Sequence, residues 1–173
     1  MRKYGILFIL GGVLVLIAFQ ARTGIFRLKN PGEPANKYVR AQQEAERLAG
    51  DEAAIIQQRF GDATVTASGL RYIVRREGTG SPPSTGAQIA AHYRGTFLDG
   101  RKFDSSYDRN EPFVFRVGRG EVIRGWDEAF LTMKVGERRT LIVPWWLAYG
   151  EAGRGNIPPR TTLVFEVELL EIR

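Results

Sequence analysis

The side chains that most often carry covalent or metal chemistry are scarce in this sequence. His92 is the only histidine among 173 residues, and there is no cysteine. A Ser-His-Asp triad would need His92 beside Ser105 or Ser106, and the spacing gives no reason to expect that. One histidine without cysteine also argues against a zinc site. The glycine pairs do not form a G-x-G-x-x-G pattern, which disfavours nucleotide binding. We therefore expect no metal, no cofactor and no nucleophilic mechanism.

Aromatic and branched apolar residues form the most distinctive pattern. The run 113–126 starts as a strand, passes through a glycine-rich turn and enters a short helical pattern. There, Ile123, Trp126 and Phe130 share one helix face, so two apolar faces point at the same interior. The wider set comprises Tyr93, Phe103, Phe113, Val122, Ile123, Trp126, Tyr149, Ile157 and Phe165. Clustered aromatic residues usually form a hydrophobic core, and on their own these favour a core over a pocket.

Period-two alternation predicts the strands that position these residues. The alternating or apolar segments are 70–74, 89–97, 113–117, 140–143 and 163–169, and Asp99-Gly100 predicts a hairpin turn. Asp104 follows this hairpin, where it fits either a turn cap or the edge of a pocket. The only helical pattern in this region lies near 121–132. The sequence therefore predicts an α+β domain, with a small antiparallel sheet folded against one short helix.

The charge distribution argues against a nucleic-acid partner. The chain has a net charge of +6 and a pI near 9.9, but five basic residues and no acidic residue lie in 1–29. The remainder is nearly neutral, with both signs interspersed. A basic surface of the kind that binds nucleic acid is therefore not expected.

The N-terminal segment 1–29 has the pattern of a membrane or export signal. Residues 4–19 carry no charge and lie between Arg2-Lys3 and Arg22. This length falls between a signal-peptide core and a membrane span, and no Ala-x-Ala cleavage site precedes Arg22. We favour an uncleaved signal-anchor over a cleaved signal, with a buried helix as the third interpretation. Basic residues flank the run on both sides, which leaves its orientation open. Signal-led export would place the globular part outside the cytoplasmic membrane, as in a bacterial periplasm.

Residues 30–63 are predicted to form a turn followed by a helical spacer. Pro31–Pro34 is rich in turn residues, and the composition then favours helix as far as Phe60-Gly61. Its apolar stripe is thin, which favours a solvated spacer helix. Self-association or a partner helix is the alternative, and the oligomeric state is left open.

Short motifs occur in a fixed order over residues 66–173. They are Ala-His-Tyr-Arg-Gly at 91–95, Lys-Phe-Asp-Ser-Ser at 102–106, Phe-Val-Phe at 113–115, Gly-Glu-Val-Ile-Arg-Gly-Trp at 120–126, Ala-Tyr-Gly at 148–150 and Ile-Pro-Pro-Arg-Thr-Thr-Leu-Val-Phe at 157–165. This series resembles the FKBP-type peptidyl-prolyl cis/trans isomerases. The resemblance implies that residues 64–173 form a half-open antiparallel sheet around a short helix, with the active pocket between them.

The same resemblance assigns roles to the pocket residues. Trp126 would form the floor, and Ile123 N–H and the Tyr149 hydroxyl would donate hydrogen bonds to substrate carbonyls. Asp104 would lie beside the twisting bond. Tyr93 would form part of the pocket wall and belong to the catalytic set. The other substrate-binding residues would be Phe103, Phe113, Val122, Ile157 and Phe165.

The implied function is peptidyl-prolyl isomerisation that assists protein folding. Its partners would be proline-containing polypeptides and macrolide inhibitors of the FKBP class. A membrane-tethered chaperone or binding module that uses the same pocket without catalysis is the alternative. Two segments depart from the family pattern: Trp145-Trp146, and the short rim loop 153–156.

Overall fold

The structure is a computed structural model and describes residues 50–173. The predictions for segment 1–29 and for the first part of the spacer fall outside these residues. Within residues 50–173, no helix combines the length and the apolar character that a membrane crossing needs.

Strands dominate this part of the chain. A helix described over residues 50–60 (α1) is followed by strands β1 to β5, a second helix (α2), strand β6, a short 3₁₀ turn and strand β7. The bounds are β1 Thr64–Val65, β2 Arg71–Arg76, β3 Gln88–Phe97, β4 Lys102–Ser105, β5 Phe113–Arg116, α2 Arg124–Phe130, β6 Arg138–Val143, the 3₁₀ turn Trp145–Leu147 and β7 Leu163–Ile172. The predicted α+β architecture is confirmed for these residues.

All strand pairs in the sheet are antiparallel. The strand order is β1-β2-β6-β7-β3-β4, and β5 also pairs with β3. The long strands β3 and β7 pair along nearly their whole length, so they form the spine of the sheet. The other edge of β3 is shared, because β5 pairs with its first half and β4 with its second half.

The inner face of the sheet packs against α2. Strand alternation turns Ile89, Ala91 and Tyr93 of β3 toward this face, as the sequence pattern predicts. From the helix, Trp126 and Phe130 enter the same cluster, and Phe130 is fully buried. Burial of such a side chain stabilises the fold by about 1.5–3 kcal/mol. The inner face therefore holds the main hydrophobic core.

Asp127 fixes the position of α2 relative to β5. Its carboxylate accepts hydrogen bonds from the N–H groups of Gly118 and Gly120, at 2.8 and 2.9 Å. Both glycines have positive φ, a backbone conformation that glycine adopts without the penalty a Cβ brings. Ile123 is extended and precedes the first helical residue. The turn between strand and helix is thus held by one side chain of the helix itself.

Helix α1 packs on the outer face of the sheet. Phe60 is buried in a second cluster with Leu98, Ile142 and Val164. A guanidinium N–H of Arg59 donates to the Leu98 carbonyl. Although residues 50–60 were predicted as part of a spacer, they belong to the same compact unit as the sheet.

We expect the Phe60→Ala substitution to destabilise the domain by about 3–5 kcal/mol, because it opens a cavity in the second cluster. Urea unfolding of the full-length protein measures this change. Val65→Ala, at a side chain that is 51% exposed, serves as the control and should stay within about 0.5 kcal/mol. Equal small effects from both would mean that α1 is not packed on the sheet.

Candidate active site

A cavity of about 500 Å³ opens between the inner face of the sheet and the start of α2. It draws its walls from β3, β4, β5 and β7, from the turn before α2 and from the loop after β6. The lining residues are Tyr93, Phe103, Asp104, Phe113, Gly120, Glu121, Val122, Ile123, Arg124, Trp126, Ala148, Tyr149, Arg154 and Phe165. Nine of the ten residues assigned to the pocket from the sequence lie on this cavity.

Ile157 is the exception among the assigned residues. Its side chain is buried in the main hydrophobic cluster and does not line the cavity. Its backbone exchanges two hydrogen bonds with Arg154, each 2.9 Å long. Ile157 therefore supports the rim of the cavity from behind.

Trp126 forms the floor of the cavity. The indole is 5% exposed, and its centroid lies 4.9 Å from that of Tyr93 and 5.2 Å from that of Phe165. Both contacts are edge-to-face, the arrangement that aromatic quadrupoles favour. The indole Nε1 is buried and has no hydrogen-bond acceptor within residues 50–173. The floor of the cavity is thus an indole ring packed among other aromatic rings.

The wall beside β7 depends on a close approach to the backbone of β3. Phe103 packs edge-to-face on Phe165, with centroids 5.6 Å apart. Both rings lie against Gly95, where a Cβ would come within 2.5 Å of Phe103 Cζ. Because no real Cβ tolerates that distance, only glycine lets the ring take this position.

A carboxylate and its partners form the polar edge of the cavity. Asp104 accepts hydrogen bonds from the Tyr93 hydroxyl, from Arg109 Nη1 at 2.6 Å and from the Ser105 N–H at 2.8 Å. Arg109 also donates to the Tyr93 oxygen at 2.8 Å. Sequence reasoning missed Arg109, because it lies in a loop without periodicity. The only available signal was a cation five residues after Asp104.

These contacts keep Asp104 ionised. Burial acts to raise its pKa, but the hydrogen bonds from Tyr93 and Arg109 outweigh burial and leave the pKa below its usual value. Burial and the bond to Asp104 raise the pKa of the Tyr93 hydroxyl. The polar edge of the cavity therefore holds an ionised carboxylate beside a neutral phenol.

Two donors face the cavity without a partner. Within residues 50–173, nothing accepts a hydrogen bond from Ile123 N–H or from the Tyr149 hydroxyl. Burial raises the pKa of Tyr149, while the Arg154 charge lowers it and the Asp104 charge raises it. Both donors are available to the carbonyl oxygens of a bound molecule.

The structure brings His92 to Ser106, a contact that the sequence spacing did not suggest. His92 Nδ1 lies 2.8 Å from Ser106 Oγ. Ser106 is fully buried, and its hydroxyl bonds both N–H and C=O of Tyr93. The pair therefore braces the strand and offers no exposed nucleophile. In this part of the chain, no three His, Asp or Glu side chains gather as metal ligands.

Comparisons with known proteins agree with this geometry. The model of the family "FKBP-type peptidyl-prolyl cis-trans isomerase" matches residues 80–170. FK506-binding protein 2B from Rhizopus delemar is 59% identical over 91 residues, which are 51% of this chain and 44% of that protein. The isomerase Fkbp12 from Drosophila melanogaster is 50% identical over 106 residues, which are 60% of this chain and 98% of that protein.

Two solved structures share the fold. The crystal structure of AtFKBP13 has a TM-score of 0.62 and 40% identity, and the match covers 64% of this chain and 98% of that one. The crystal structure of FkpA from Escherichia coli has a TM-score of 0.65 and 36% identity, and the match covers 92% of this chain and 70% of that one.

The antiparallel sheet packed against one short helix, with an aromatic cavity between them, defines a peptidyl-prolyl isomerase domain. The family match spans more than half of the chain. This protein belongs to the FKBP-type peptidyl-prolyl cis-trans isomerases.

We expect Arg109→Ala to raise the pKa of Asp104 toward its usual value, because a hydrogen-bonded cation is removed. An NMR titration of the Asp104 carboxyl group measures the shift. Lys102→Ala is the matched control, since Lys102 pairs with Asp108 at 2.5 Å in the same region. If the pKa of Asp104 were the same in both variants, Arg109 would not hold its charge.

Proposed function

We propose that this chain accelerates the cis/trans interconversion of X–Pro bonds in polypeptides, with the proline ring bound over Trp126. The observation that carries the proposal is the combination on one cavity of an aromatic floor, two unpartnered donors and the Asp104 carboxylate. Folding steps that wait for a proline to isomerise take tens of seconds or longer without a catalyst. The expected effect of this activity is therefore faster folding of such polypeptides.

The chemistry needs neither a nucleophile nor a bound group. Rotation about a peptide bond breaks its resonance, against a barrier of about 18–20 kcal/mol. The twisted amide has a less polar C–N unit than the planar one. A water-poor cavity lined by aromatic rings therefore stabilises the twisted form more than the planar ground state.

The polar groups then position the chain around the twisting bond. Ile123 N–H and the Tyr149 hydroxyl would donate to substrate carbonyls and hold the flanking peptide in place. Asp104, kept ionised by Arg109, would lie beside the rotating amide, where its charge responds to the changing dipole.

A coupled assay on a proline peptide tests the activity of the full-length protein. We expect Tyr149→Phe or Asp104→Ala to lower kcat/KM by roughly two- to tenfold, the effect of losing one hydrogen bond or charge. Neither should change stability strongly. Trp126→Ala should instead destabilise the fold by about 3–5 kcal/mol, because it removes the shared centre of the aromatic cluster.

The wild type provides the control for this series. Failure of the wild-type protein to accelerate the peptide would exclude the isomerase proposal. Unchanged rates and stabilities in all three variants would show instead that the active cavity lies elsewhere.

We expect the rate to change little between about pH 6 and 8, because Asp104 is already ionised there and its pKa is lowered. A carboxyl group whose pKa is lower in the folded than in the unfolded protein stabilises the fold at pH values above its unfolded pKa. This contribution is lost as the pH falls through the folded pKa, so acid should weaken the site only below about pH 4. A single titration of the rate in the ordinary histidine range would contradict the proposed mechanism.

Macrolide binding at the same cavity follows from the relatives. One relative is named an FK506-binding protein, and we extend that ligand class to this chain. FK506 should compete with the peptide in the same assay, and an inhibition pattern that does not depend on peptide concentration would argue against a shared site.

A chaperone role is the second candidate, favoured by one surface feature. The indole of Trp146 is 48% exposed beside Trp145, with ring centroids 5.4 Å apart. Trp145 is half-buried, and the Trp146 indole N–H donates to the Ser68 carbonyl at 3.0 Å. The exposed part of such an aromatic pair suits contact with unfolded chains. A chaperone role requires that Asp104→Ala retain aggregation suppression although its isomerase rate falls.

We further propose that residues 1–29 tether the protein to a membrane or direct its export. The support is the uncharged run 4–19 between basic residues. The isomerase domain would then lie outside the cytoplasmic membrane. Cell fractionation combined with N-terminal sequencing of the mature protein tests this, and recovery of an intact N-terminus in the cytosolic fraction would refute it.

A further inference from the structure

Two arginines on the cavity have no carboxylate partner. Arg124 and Arg154 both line it, and neither forms an ion pair within residues 50–173. This sets them apart from Arg109, whose charge is matched by Asp104 at 2.6 Å. An arginine without a partner at the mouth of a binding cavity is free to pair with a charge on the bound molecule.

The backbone holds Arg154 at the rim. Arg154 and Ile157 form a β-bridge with two hydrogen bonds of 2.9 Å. The turn is tight, since a Cβ on Gly153 would come within 2.3 Å of the Ile157 carbonyl oxygen. The side chain of Ile157 is anchored in the core. The backbone of Arg154, and with it the start of the side chain, is therefore placed by the fold.

The remaining charges do not cancel this pair of cations. Asp104 is neutralised by Arg109. Glu121 is the other acidic residue on the cavity, and its carboxylate accepts the Arg116 N–H at 2.9 Å. The charges of Arg124 and Arg154 are thus opposed only by that of Glu121 among the residues lining the cavity. The charge of Arg154 also acts to lower the pKa of the Tyr149 hydroxyl. The rim beside Tyr149 is electropositive.

We propose that Arg154, assisted by Arg124, gives this isomerase a preference for prolines that are flanked by an aspartate or glutamate. This inference rests on the proposed function and names its substrate class. The flanking carboxylate would pair with the guanidinium at the rim while the proline ring occupies the apolar floor. A flanking lysine would meet the same charge and be disfavoured.

Charged peptide series test the proposal on the full-length protein. Two series carry leucine, glutamate or lysine immediately before or immediately after the proline. We expect kcat/KM for the glutamate peptide to exceed that for the lysine peptide by about two- to fivefold in at least one series. This ratio corresponds to the free energy of one partly exposed ion pair. The ratio should fall to about one in Arg154→Ala and invert in Arg154→Glu. It should also shrink in about 1 M salt, where the screening length falls to about 3 Å.

Arg94→Ala is the matched control. Arg94 is likewise an exposed arginine without an ion pair in the described chain, but it neighbours Tyr93 on β3 and so projects from the opposite face. The Arg94→Ala variant should show the wild-type ratio of glutamate to lysine kcat/KM. Arg154→Lys, which retains the positive charge, should show most of the wild-type preference for glutamate.

The outcomes separate the two proposals. No acceleration of the leucine peptides by the wild type would reject the isomerase function itself. Acceleration with a glutamate-to-lysine ratio of one in both series would reject only the charge preference. A ratio that survives in Arg154→Ala, or falls equally in Arg94→Ala, would reject the assignment to Arg154.

Discussion

The structure depends on closing one face of a seven-stranded sheet with a single helix of seven residues. A helix of two turns presents too little aliphatic side chain to cover such a face. Large aromatic rings make up the difference, and Trp126 touches rings from β3, β5 and β7 as well as Phe130. The cavity is the part of the face that the helix leaves open. Stability and binding therefore draw on the same cluster of rings.

The polar edge solves a second physical problem, because a charge is costly beside an apolar cavity. Asp104 remains ionised there since two donors, Tyr93 and Arg109, compensate for lost water. The guanidinium of Arg109 also donates to the Tyr93 hydroxyl oxygen and lies over the Tyr93 ring, 5.6 Å from its centroid. Both oxygens of the Asp104 carboxylate are thus hydrogen-bonded at the edge of the cavity.

Local patterns predicted the parts of the fold that local physics decides. Alternation identified β3 and β7, and Asp99-Gly100 identified the hairpin between β3 and β4, where Gly100 has a positive φ. Composition predicted that α1 ends at Phe60, but a thin apolar stripe gave no sign that Phe60 packs on the outer face.

Contacts between distant parts of the chain could not be predicted in this way. Arg109 and Arg154 lie in loops, whose approach to the cavity depends on closure of the whole sheet. The ordered motifs placed Ile157 on the cavity, whereas its side chain turns to the core.

Gly95 has a consequence for how this binding site can change. It does not line the cavity, yet the missing side chain leaves the space into which Phe103 and Phe165 settle. A methyl group there would push Phe103 off the backbone and into the opening. The width of the cavity thus depends on a residue behind its wall, so a variant can narrow its range of ligands while every residue that touches the ligand stays the same.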